Sequence, residues 1–175
     1  MRYAAECGRA AVQARLRRRE NTEPMQDEER KVKVLFLCTG NSCRSQMAEG
    51  WARALKRDVI EAHSAGIETH GLNPIAVRVM AEVGVDISGH RSKHVDELKE
   101  VPFDYVVTVC ADAHESCPRF PGSAKVVHAP FDDPPRLARD AKTEEQALRH
   151  YRRVRDEIRV FVEQLPESFT RGAPS

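Results

Sequence analysis

Val34-Leu-Phe-Leu-Cys38-Thr-Gly-Asn-Ser-Cys-Arg44-Ser45 is a short apolar run that ends in a cysteine and leads into a polar loop. The run reads as a buried strand. Beyond the loop, Met47, Ala48, Trp51, Ala52 and Leu55 recur at helical spacing, so a helix is expected over residues 43–56. A loop that enters a helix aims several backbone N–H groups at one point, where the helix dipole also favours negative charge. Gly40 and Asn41 tolerate the positive φ such a loop needs. Arg44 offers a planar fork matched to an oxyanion. Thr39, Gly40, Asn41, Ser42, Cys43 and Arg44 therefore form a candidate oxyanion cradle around Cys38. A cysteine at its centre is expected to be ionised at neutral pH, and the thiolate is the nucleophile. Ser45 is placed to donate a hydrogen bond to it. The loop lacks the Gly-Lys-[Ser/Thr] of a nucleoside-triphosphate site.

Outward from this stretch, strands and helices alternate. Further strands are expected over residues 59–64, 104–109 and 125–128. Asn73-Pro74 caps a helix carrying Ile75, Val79, Met80 and Val83, stopped at Gly84. Thr143-Glu-Glu-Gln146 is a capping-box pattern that opens a long helix to about Leu165. Its buried stripe is Leu148, Tyr151, Val154, Ile158, Phe161 and Val162. Such alternation predicts an α/β fold of three layers, an open four-stranded parallel sheet with helices on both faces. Active sites of such sheets lie beyond the carboxyl ends of the strands. Cys38 and Cys110 both fall at strand ends. Phe131-Asp132-Asp133-Pro134 follows the fourth strand on the same rim, where a carboxylic acid can protonate a departing oxygen.

Residues 31–165 form the expected domain. Residues 1–30 read as a disordered or partly helical arm, with no role for Cys7, and Met25 is an alternative start. Residues 166–175 read as a frayed tail. The 175 residues suffice for one domain. Lys+Arg of 28 against Asp+Glu of 27 gives a net charge of +1, which supplies no reason to expect nucleic acid or an anionic membrane. No run approaches the roughly 20 apolar residues of a membrane span, and no apolar signal region follows the first arginines. A reducing cytoplasm is the expected location. Five cysteines there point to catalytic, redox or metal chemistry. Cys110 and Cys117 can bridge if the backbone bends between them. Inert thiols, or a zinc site with Cys38 and Cys43, are the alternatives; the usual zinc spacing is tighter.

Cys38-Thr-Gly-Asn-Ser-Cys-Arg-Ser-Gln-Met-Ala-Glu-Gly-Trp51 is similar to the signature of thioredoxin-coupled arsenate reductases, which share the low-molecular-weight tyrosine phosphatase fold. Ser64-Ala-Gly-Ile-Glu-Thr-His-Gly71, Cys117-Pro118, Phe131-Asp-Asp-Pro134 and Arg153-Val-Arg-Asp-Glu-Ile158 resemble the family as well. The resemblance implies that Cys38 attacks arsenate held by the loop and Arg44. Asp133 then protonates the leaving hydroxyl. Cys110 attacks Cys38 and releases arsenite, Cys117 attacks Cys110, and thioredoxin reduces the final disulfide. It implies no cofactor, and a monomer is expected. Some members hold potassium through an Asn, a Glu, a Ser and an Asp. Asn41, Glu49 and Ser64 match the first three, but Lys93 stands at the fourth, and its ammonium is expected to replace the ion. The rival readings are a low-molecular-weight tyrosine phosphatase and a non-enzymatic oxyanion- or zinc-binding module. A phosphatase leaves Cys110 and Cys117 without work. His70, His90 and His94 are expected in surface or capping roles, and His114 lies between the two cysteines.

Overall fold

The computed structural model describes residues 30–115, 120 and 123–169. Cys117, Cys7 and Met25 lie outside the described residues, as do 1–29 and 170–175. Strands β1 (Val32–Cys38), β2 (Ile60–Gly66), β3 (Tyr105–Thr108) and β4 (Lys125–His128) form one parallel sheet in the order β2-β1-β3-β4. Helices α1 (Arg44–Leu55), α2 (Pro74–Ala81), α3 (Ala111–Glu115), α4 (Pro134–Leu137) and α5 (Glu144–Glu163) follow or separate them. Val34, Leu35, Phe36 and Leu37 of β1 are all fully buried, although alternate side chains point to opposite faces. Both faces of the sheet are therefore covered, as expected of a parallel α/β sheet.

The strand order determines where a site can form. From β1 the chain passes to β2 on one side, then crosses to β3 on the other. The crevice at such a reversal opens beyond the carboxyl ends of β1 and β3. Cys38 ends β1, and Cys110 follows β3 by two residues.

The helices hold by their apolar stripes. Leu148, Tyr151, Val154, Ile158 and Val162 of α5 are buried, and Thr143 Oγ1 caps the helix by accepting from Gln146 N (3.2 Å). Trp51 of α1 is core, and its Nε1 donates to Arg155 O of α5 (3.1 Å). Arg155, itself buried, donates to Val79 O of α2 (2.8 Å). One polar chain thus links three helices. Burying an indole of this kind contributes about 2–3 kcal/mol.

Element ends differ from the sequence expectation where tertiary bonding extends or trims them. β2 runs on to Gly66, which pairs with Cys38 and donates to Lys93 O (2.8 Å). α2 stops at Ala81, and the chain turns through Gly84 at φ 78. The described residues reach 169 in the tail expected to fray from residue 166. Glu167–Phe169 form a 3₁₀ turn, and the Phe169 ring stacks on Tyr105 at 4.0 Å between centroids.

Candidate active site

The loop between β1 and α1 is held by its carbonyls. Cys38 O accepts from Ile67 N (3.2 Å), Thr39 O from Glu68 N (2.8 Å), Gly40 O from His70 N (3.0 Å) and Ser42 O from Asn73 N (3.0 Å). Asn41 O accepts from Gln46 Nε2 (3.1 Å) and Cys43 O from Met47 N (2.9 Å). Every carbonyl from 38 to 43 is thus bound away from the cavity. In a trans peptide the following N–H points the opposite way. The loop therefore turns a run of amide donors inward at the start of α1, the arrangement an oxyanion needs. Residues 67–73 act as a strap along its back.

Asn41 is the keystone. It is fully buried behind the cavity, at φ 43. Lys93 N, which can only donate, lies 2.7 Å from Asn41 Oδ1 and so fixes the amide orientation. Asn41 Nδ2 then donates to Ser45 Oγ (2.9 Å) and Ser64 Oγ (2.9 Å). Ser64 Oγ donates a hydrogen bond to the buried carboxylate of Glu49. Ser45 Oγ also lies 2.9 Å from Cys38 Sγ, where it donates once Cys38 is a thiolate. Asn41 N adds a second donor to that sulfur (3.2 Å). The structure thus brings the expected Ser45–Cys38 contact together.

Burial is the strongest influence on Cys38 and pushes its thiol up from the ordinary value. The hydrogen bonds of Ser45 pull it down, nearby Cys110 raises it, and Arg44 lowers it least. Burial thus opposes the thiolate expected at neutral pH, and the contacts of Ser45 and Arg44 favour it. Arg44 faces another partner: its guanidinium donates to Phe131 O (3.0 Å) and pairs with Asp133 Oδ1 (3.1 Å). Cys43 is buried beside Cys38, and burial pushes its thiol up strongly too.

Cys38, Thr39, Gly40, Ser42, Cys43 and Arg44 line a cavity of about 410 Å³, with His70, Asn73, Asp112, Asp133 and Pro135 as its walls. No Phe, Tyr or Trp is among these lining residues. Asp133 also caps α4, accepting from Arg136 N at 3.2 Å. Cys110 is buried, with its Sγ 3.4 Å from Thr39 Oγ1. A second cavity of about 510 Å³ reaches Cys110 and shares Arg44, Asp112 and Asp133 with the first. The structure therefore gathers Cys38, Arg44, Ser45, Cys110 and Asp133 on one rim. Among the described residues, no group of three or more His, Cys, Asp and Glu side chains is placed to hold a metal ion.

Residues 33–173 match the low molecular weight phosphotyrosine protein phosphatase family. The chain belongs to that family. An arsenate reductase of Bacillus subtilis (strain 168) is 53% identical over 125 residues, 71% of this chain and 88% of that protein. An arsenate reductase of Staphylococcus aureus (strain Newman) is 46% identical over 133 residues, 76% of this chain and 95% of that protein. Among solved structures, an arsenate reductase in the phosphate binding state superposes with a TM-score of 0.60 at 32% identity, covering 77% of this chain and 95% of that one. A low molecular weight protein tyrosine phosphatase from T. tengcongensis superposes with a TM-score of 0.60 at 28% identity, covering 79% and 99%.

For a member of this family the remaining residues fall into place unevenly. Glu49, Ser64 and Asn41 form one chain of hydrogen bonds, and Lys93 Nζ lies 3.5 Å from Glu49 Oε2. Arg53 pairs with the same carboxylate. His94 caps the 3₁₀ turn Val95–Leu98, accepting from Asp96 N at 3.2 Å. His90 Nδ1 meets Gln46 Oε1 (2.9 Å). His70 is exposed, as expected, where it pairs with Glu68 (2.7 Å), and it also lines the cavity. Gln46 escaped the sequence reading. It is buried in the first turn of α1 beside Ser45, with Glu49 buried one turn on.

Proposed function

We propose that this protein reduces arsenate to arsenite, with Cys38 as nucleophile and electrons supplied by thioredoxin. The observation that carries the reading is the second thiol. Cys110 sits within reach of Thr39 on the same rim as Cys38. Hydrolysis of a phosphate ester needs one thiol, whereas reduction of an oxyanion needs two. The naming of relatives at 46–53% identity as arsenate reductases supports the same reading.

The steps follow from the residues. Arsenate enters the amide cradle, and Arg44 exchanges Asp133 for the oxyanion. Ser45 Oγ and Asn41 N stabilise the Cys38 thiolate, which is the form that reacts. The thiolate displaces a hydroxyl from arsenic, and Asp133 supplies the proton that makes it water. Cys110 then attacks Cys38 Sγ. The sulfur–arsenic bond breaks with its electron pair on arsenic, so arsenic(V) becomes arsenic(III) and a Cys38–Cys110 disulfide remains. Cys117 moves the disulfide outward by thiol–disulfide exchange, and thioredoxin reduces it. The chain works as a cytoplasmic monomer.

The test is NADPH consumption in the presence of thioredoxin and its reductase, started by arsenate. Wild type turns over, Cys110→Ser does not, and Cys117→Ser stops after one turnover. Hydrolysis of an aryl phosphate that survives Cys110→Ser, with no arsenate turnover in wild type, would overturn the reading in favour of a phosphatase.

A further inference from the structure

We infer that Asp112 is the proton acceptor for Cys110, directly or through one water, in the step that releases arsenite. This inference rests on the arsenate reductase reading. To attack Cys38, Cys110 must first lose its proton. Thr39 Oγ1, the hydroxyl 3.4 Å away, is no base. Three carboxylates line the cavity that Cys110 opens into: Asp112, Asp132 and Asp133. Asp132 is held by Arg153 (2.8 Å), which lowers its carboxyl below the ordinary range. Asp133 is paired with Arg44 until the oxyanion takes that arginine; its carboxylate still accepts from Arg136 N at the N-terminus of α4 (3.2 Å), and it is already assigned to the leaving hydroxyl of the first step. Asp112 has no hydrogen bond or ion pair among the described residues. It stands two residues beyond Cys110, in the first turn of α3, next to fully buried Ala113. It also lines the oxyanion cavity, so it borders both cavities, as Arg44 and Asp133 do. The charged groups facing Cys110 across this cavity are Arg44, Arg136 and the three carboxylates.

The proton balance closes. Cys110 gives its proton to the Asp112 carboxylate, and the thiolate forms the sulfur–sulfur bond with Cys38. The sulfur–arsenic pair leaves on arsenic. Asp112 then returns the proton to an oxygen of the departing arsenite. The first step, attack of Cys38 on arsenate, makes no use of Asp112.

The experiment is a single turnover of the full chain without thioredoxin, comparing wild type, Asp112→Asn and Asp112→Glu. Arsenite release is timed, and alkylation of Cys38 by iodoacetamide is followed with and without inorganic phosphate. Asp112→Asn is expected to release arsenite about a hundredfold more slowly. Raising the pH restores the rate by ionising Cys110 without a base, and Asp112→Glu recovers most of it. Alkylation of Cys38, and its protection by phosphate, change far less than arsenite release, although Asp112 also lines the oxyanion cavity. Release by Asp112→Asn at the wild-type rate overturns the inference. So does an equal change in Cys38 alkylation, which places the effect on the first centre. Wild type that releases no arsenite overturns the reductase reading itself.

Discussion

Ser45 carries one hydroxyl proton, and its neighbours decide where that proton goes. Asn41 Nδ2 donates to one lone pair of Ser45 Oγ, and when Cys38 is a thiolate the hydroxyl proton points at its sulfur. A hydrogen bond to a charged group is worth about 1.5–3 kcal/mol. Ser45→Ala should therefore lower kcat/KM for arsenate about 10- to 100-fold. Because that bond pulls the Cys38 thiol down against burial, its loss raises the thiol further. The rise of rate with pH should move to higher pH in Ser45→Ala, and an unmoved profile would refute the role. Glu49 is the other residue whose partners decide its behaviour. Ser64, Arg53 and Lys93 all bind one buried carboxylate. An ammonium so placed repels a further cation by about 1–4 kcal/mol at close range. Turnover should therefore be flat when potassium replaces sodium at constant ionic strength. A steep rise with potassium would show that Lys93 does not fill that place.

At the scale of elements, β1, its loop and α1 were legible in the sequence because each states a backbone need. The apolar run needs burial, Asn41 needs a tolerance for φ 43, and the Met47–Leu55 spacing needs a helix. The strap was not legible. Residues 67–73 have no period, and their work is done by backbone N–H groups that any residue supplies. The signal that remained was Gly66. A Cβ there would lie 2.6 Å from Asn41 N and 2.7 Å from Thr39 O, both backbone atoms that cannot turn aside. Gly66→Ala should destabilise the fold by about 1–3 kcal/mol, as overpacking does. It should also weaken protection of Cys38 by inorganic phosphate, because the strap and loop part at the cradle. A urea midpoint at the wild-type value, with phosphate protection intact, would show that the strap does not shape the loop.

At the scale of the whole molecule, the sequence announced the sheet but not its order, because pairing across a crossover leaves no local pattern. The order β2-β1-β3-β4 is what sets Cys110 beside Cys38, and it also buries both Cys38 and Cys43. That burial sets the response of stability to pH. Both thiols are raised in the folded state above the ordinary value of 9.0. Folded protein then keeps two protons that the unfolded chain gives up, so their stabilisation is complete below that value and is lost as pH climbs past it. Each thiol contributes a slope of about 1.4 kcal/mol per pH unit above about pH 9. At the acid end the sign reverses. Glu61, Glu82, Asp86, Glu97 and Asp132 are lowered by hydrogen bonds to His63, Arg152, Ser88, Arg91 and Arg153 respectively. Their contribution is present above the ordinary carboxylate range and is lost as pH falls through the folded values. These groups are exposed, so the acid fall should be shallow and weakened by salt. The alkaline fall comes from the interior and should withstand salt. Urea unfolding of reduced wild type and Cys43→Ala at about pH 8, 9 and 10 separates the contributions. Cys43→Ala loses some stability at every pH from the space it leaves. Its alkaline slope should nevertheless be shallower than that of wild type by one thiol's share, with Cys38 and the burial-raised Tyr151 remaining. Equal slopes would mean that Cys43 ionises alike in the folded and unfolded chains, and that the loop lies open to water where the structure buries it.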